Sequence, residues 1–108
     1  VAIVVLDAIG FMNDDIIDAR SRIPAEAGVT YTIVTSTHTH EGPDLLGLWG
    51  ETPFKSGINA KYMDYVKDQI AASVTAAVKN LRPATLSVSE DLTGAIPLVK
   101  DTRVDCLG

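Results

Sequence analysis

The chain has 108 residues, 46% hydrophobic and 21% charged, which suits one globular domain with one core and excludes a disordered tract. Its formal net charge is -5 and its nine basic residues are scattered, so it lacks the clustered Lys and Arg of a nucleic-acid surface. Cys106 is the only cysteine, which excludes an internal disulfide and a cysteine-ligated zinc site.

The run Val1-Ala2-Ile3-Val4-Val5-Leu6 is apolar and largely β-branched, as expected of a strand buried on both faces of a parallel sheet. It is too short, and lacks the basic start, for a secretory leader, and no apolar run approaches the roughly 20 residues of a membrane span. A chain opening inside an apolar run and stopping at Leu107-Gly108 reads as an internal piece of a longer protein, a single α/β fragment over residues 1–108.

Asp7 closes the first strand and Gly10 marks a bend. Asn13, Asp14 and Asp15 offer N-cap oxygens for a helix whose buried stripe is expected at Ile16, Ile17, Ala19 and Ile23. Pro24 ends it, and Gly28 closes the connection. A second strand, roughly residues 30–36, leads into Thr37-His38-Thr39-His40-Glu41-Gly42-Pro43-Asp44, which holds the only two histidines.

Gly42-Pro43 forces a turn, so the histidines are expected where a strand ends and a loop opens. Residues two apart in an extended backbone share a side, which would aim both rings into one cavity, near Glu41 and Asp44. Imidazole and carboxylate are the ordinary ligands of zinc and similar ions. Two histidines alone serve equally well as local hydrogen-bonding residues, and a closed site needs two more donors. Asp7, Glu41, Asp44 or a residue outside this piece would supply them. A divalent ion with an open position implies hydrolysis of an amide or ester, with Glu41 either a general base or a solvated carboxylate.

From Asp44 to Gly57 runs a long loop carrying Leu45, Leu46, Leu48, Trp49 and Phe54, expected either to pack down as core or to line an apolar pocket. A helix follows over about residues 59–81, with its apolar face at Tyr62, Val66, Ile70, Val74, Ala77, Val78 and Leu81. Arg82-Pro83 stops it. Ala84–Ser89 alternates small apolar and polar residues, the pattern of a half-buried strand, and residues 98–104 suggest another extended piece. Cys106 is expected as a small packing residue. The order β-α-β-α-β predicts an α/β layer with an at least partly parallel sheet. Ligands of such sheets gather beyond the C-terminal strand ends, where Asp7 and His38 lie. A nucleophile elbow, a phosphate loop and a dinucleotide fingerprint are all absent.

The segment Thr37-His38-Thr39-His40-Glu41-Gly42-Pro43 resembles the Thr-His-Thr-His-Ser-Gly-Pro hallmark of the neutral/alkaline, non-lysosomal ceramidase family. The flanking order is similar too: an apolar strand ending in Asp7, a short helix, the motif, a long helix, then Arg82-Pro83-Ala84. Glu41 stands where the family has Ser, and Asp44–Gly50 departs from its glycine-rich continuation. The resemblance implies a zinc-dependent hydrolase of linear amides, splitting an N-acylsphingosine or a related lipid amide. It implies His38 as a zinc ligand and His40 as a catalytic residue contacting substrate. The family's other zinc ligands and its catalytic serine segment have no counterpart here, so the piece alone is expected to be catalytically incomplete. The resemblance further implies a lipid or small-molecule amide partner, peripheral access to membrane lipid and an extracytoplasmic location. The alternative is a non-catalytic metal- or ligand-binding module on the same scaffold.

Overall fold

The computed structural model describes residues 1–89, so the expected extended piece at residues 98–104 and the packing role of Cys106 lie outside the described residues. Strand β1 (Ala2–Leu6) is followed by helix α1 (Asn13–Ser21), a 3-10 turn (Ala25–Ala27), strand β2 (Thr32–Ser36) and helix α2 (Ala60–Lys79). The strands pair in parallel, Ala2 opposite Thr32 through Leu6 opposite Ser36. The chain is therefore a mixed α/β structure with a parallel pair, as its element order predicts. Among the described residues no helix is long and apolar enough to cross a membrane.

Both helices cover the same face of the sheet. Ala19 of α1 and Met63, Val66 and Ile70 of α2 form one core with Ala8 and Leu45, with Val4, Leu6 and Val34 packed against it from the strands. The opposite face is open among the described residues: Ile3 is 71% exposed and Val5 59%. The unbroken apolar run of β1 predicted cover on both sides, but only alternate residues are half-buried and the others are exposed.

The sheet also ends sooner than expected. Among the described residues Ala84–Ser89 joins no ladder, and Leu86 and Val88 are almost fully exposed. Alternation shows which face a strand could bury but not whether a partner edge receives it. Helix α2 starts close to where its period predicts, with the Asn59 side chain capping it by accepting from Tyr62 N at 3.1 Å. Its buried stripe is Met63, Val66, Ile70, Ala71 and Val74, rotated from the expected face, so Tyr62 and Leu81 lie outside the core. Helix α1 is capped by Met12 without a side-chain bond, so Asp14 and Asp15 lie in its first turn rather than at the cap, and Ile17 faces solvent.

A charged seam joins the helices. Arg22 reaches Asp18 at 3.1 Å, Asp64 at 2.6 Å and Asp68 at 2.8 Å, while Lys67 reaches Asp15 at 2.7 Å and Asp18 at 2.8 Å. Hydrogen bonds from Arg22 and then Lys67 hold the Asp18 carboxyl at about 2, below its ordinary 3.8. A carboxyl depressed in the folded state stabilises fully above its unfolded pKa, and loses that contribution as pH falls through the folded one. For Asp18 the window is about pH 4 to 2. We expect Asp18→Asn to lower the urea midpoint at pH 6 and to flatten its decline across that window. Parallel declines for both proteins would refute the assignment. Because Asp18 is 40% exposed, molar salt should shrink the difference.

Candidate functional site

The site lies at the C-terminal end of the parallel pair, where the ladder continues beyond both strands. Thr37 N–H donates to Leu6 O at 2.9 Å, and His38 N–H donates to Ala8 O at 3.0 Å. At His38 the backbone turns left-handed, with φ +64°. Few side chains adopt that region, and histidine is among those enriched there. Such outliers concentrate where a site demands them.

This turn revises how the histidines meet. Strand alternation predicts two rings side by side on one face, but β2 ends at Ser36 and His38 is no longer extended. The rings are nevertheless brought together, with centroids 5.0 Å apart and planes at 88°. Both residues are exposed, so the pair meets solvent rather than the floor of a cavity.

The His38 ring is oriented by the backbone. Its Nδ1 lies 2.7 Å from Ile9 O. A carbonyl oxygen can only accept, so Nδ1 carries the proton, and in the neutral ring the lone pair is then on Nε2. This is the tautomer a metal-binding histidine takes when its other nitrogen is tied to a carbonyl. The chemistry of His38 thus fits a zinc ligand, and the neighbouring imidazole of His40 is a second candidate donor. Among the described residues no three His, Cys, Asp or Glu side chains gather to complete a cage.

The three expected acids separate. Asp7 and Glu41 are exposed. Asp7 contributes through its backbone: a Cβ on Gly42 would come within 3.2 Å of Asp7 O, so glycine there lets the motif fold closely back over the end of β1. Asp44 is turned into its own loop, its Oδ1 accepting from Leu46 N at 2.9 Å and Gly47 N at 2.7 Å and its Oδ2 from Trp49 N at 2.8 Å. Desolvation works against its charge, but the backbone N–H groups of Trp49, Leu46, Leu48 and Gly47 together outweigh it and hold the carboxyl below its ordinary value. A carboxylate so engaged is a clamp for the loop rather than a spare ligand.

The apolar loop divides between the two roles expected of it. Leu45 is buried in the core, while Leu48 and Phe54 face solvent. Trp49, 52% exposed, stands beside the site with its ring centroid 6.2 Å from that of His40. Sequence reasoning assigned Trp49 no role at the histidines. Asp44 followed three residues later by Gly47 is the available sign of a side-chain-capped turn that folds the loop back. Comparison with family models, curated proteins and solved structures finds no match for this chain.

Proposed function

We propose that the chain carries part of the site of a zinc-dependent hydrolase of linear amides of ceramidase type, acting on an N-acylsphingosine or a related lipid amide. The observation that carries this reading is the His38 ring, whose Nδ1–H is bound to Ile9 O while Nε2 has no hydrogen-bond partner among the described residues, beside His40. His38 serves as a ligand, and His40 contacts the carbonyl oxygen of the substrate. Bound zinc supplies an acidified water and polarises the scissile carbonyl. The exposed Leu48, Trp49 and Phe54 suit a lipid amide approached from a membrane surface, in an extracytoplasmic protein.

Zinc titration of the chain by calorimetry tests this reading. His38→Ala should weaken binding by no less than the roughly 10–100-fold typical of losing even an outer-shell partner. Unchanged affinity would remove the basis of the proposal. With two candidate donors in place, the 108-residue chain should bind zinc without turning over a short-chain N-acylsphingosine. Turnover retained by His38→Ala would also sink it. A second reading, a non-catalytic metal- or ligand-binding module, draws on the absence of a three-residue cage among the described residues. It is favoured if zinc binds but neither this chain nor any longer form containing it hydrolyses the amide.

A further inference from the structure

We infer that Asp44 is a positioning residue that holds the indole of Trp49 against His40, making Trp49 the flank that a ligand of the histidine pair must touch. The inference rests on the reading of His38 and His40 as the site. Its physical basis is the division of labour between the two carboxylate oxygens. Oδ1 takes the N–H groups of Leu46 and Gly47 and so closes the turn. Oδ2 takes the N–H of Trp49, five residues away, at 2.8 Å and draws the backbone bearing the indole back over the start of the loop.

The far end of the loop backs the same contact. A Cβ on Gly57 would lie 2.5 Å from Asp44 Oδ2 and would also strike the carbonyl of Trp49. Gly57 therefore lets the returning chain close over the Asp44–Trp49 tether. The indole reaches His40 at 6.2 Å, and His40 in turn stands edge-on to His38 at 5.0 Å. Asp44, Trp49, His40 and His38 form one chain of contacts, in which Asp44 acts through Trp49 and touches neither ring in the role assigned here.

This arrangement makes Asp44→Asn a selective change. An asparagine keeps one acceptor, best used on the two N–H groups of the turn, and sets its NH2 donor against the N–H donor of Trp49. The turn is kept and the tether is lost. Trp49 is the only tryptophan, so its fluorescence reports on that tether alone. From 52% exposed toward free, its quenching by acrylamide should rise by about twofold. Quenching by Cu2+ added to the protein should fall as the indole leaves the histidines. The zinc affinity and the urea midpoint should stay near those of the unmodified chain.

Unchanged acrylamide quenching in Asp44→Asn overturns the inference. So does a loss of zinc affinity as large as that of His38→Ala, which would make Asp44 a ligand instead. If the unmodified chain binds no zinc, the reading of the site fails, while acrylamide still decides whether Asp44 holds Trp49. Should Asp44→Asn not fold, Gly57→Ala strains the same tether without changing charge and should give the same rise in quenching. No rise there overturns the inference as well.

Discussion

Ile70→Ala is expected to destabilise the chain by about 3 kcal/mol, within the range measured for emptying a buried aliphatic position. Ile70 is the largest side chain in the fully buried class and sits at the middle of α2, in the cluster that also holds Ala8, Ala19, Leu45, Met63 and Val66. Truncation removes its transfer energy and leaves a cavity. That cavity cannot readily collapse, because its walls come from both helices and from the segments after both strands. In a domain this small, such a loss should lower the melting temperature by roughly 15 °C. Ile70→Val keeps most of the volume and should cost about 1 kcal/mol. Val88→Ala, at a position 87% exposed, should leave the melting temperature almost unchanged. If Ile70→Ala melts no lower than Val88→Ala, the core described here is not the one holding the fold together.

The same substitution bears on the site. Leu45 is the core residue next to Asp44, and Ala8 accepts through its carbonyl from His38 N–H. The segments that carry the histidine pair are therefore anchored on the helix layer, although the rings themselves are exposed. An exposed pair can keep a fixed geometry in this way, since its backbone is held from below by burial and laterally by the continued ladder. A cation outside the seam between the helices works in parallel. Arg20 Nε donates to Thr32 O at 2.7 Å and its guanidinium lies 4.5 Å from the Tyr31 ring, tying α1 to the start of β2.

Much of this was legible in the residues. The 3.6-residue period placed α2, Asn59 was recognisable as its start, and the β-branched runs gave both strands and their parallel pairing. Steps of three and four fix a helix but leave its rotation uncertain by one residue, so Met63 was passed over in favour of Tyr62. The histidine motif was legible as a strand-end feature, but the way its rings meet was not. Extended alternation predicts a shared face, whereas the contact depends on a left-handed residue at His38 and a backbone carbonyl at Ile9. Neither a dihedral sign nor a main-chain acceptor leaves a mark in residue identity. Asp44 illustrates the same gap. As a residue type it is a metal ligand or a turn-former, and only the backbone N–H groups around it decide for the turn. Ala84–Ser89 marks a further limit: its pattern describes a strand, while pairing depends on an edge it does not occupy among the described residues.

Gly50→Ala is expected to cost about 2 kcal/mol and to open the loop beside the site, because there is no space for a β-carbon. Built on Gly50, that atom would collide with the carbonyl of Lys55, and it would lie 3.2 Å from the carbonyl carbon of Ser56. These are backbone atoms, so no change of rotamer relieves the overlap and the two strands of the loop must part. An ion pair between Lys55 and Glu51 crosses the same point, but both partners are exposed and cannot hold the loop closed against such a clash. Once the loop parts, the returning segment at Gly57 no longer closes against the Trp49 backbone. Its emission should move to the red, and near-ultraviolet dichroism from the indole should fall. Gly28→Ala separates this effect from generic backbone strain. Gly28 sits at φ +64°, but a β-carbon there meets nothing within 4 Å, so only the left-handed penalty of about 1 kcal/mol applies. Its tryptophan spectra should match those of the unmodified chain. Spectra for Gly50→Ala that also match, at an unchanged urea midpoint, would mean that residues 50 and 55 do not approach each other as described, and that the loop beside the histidines is held in some other way.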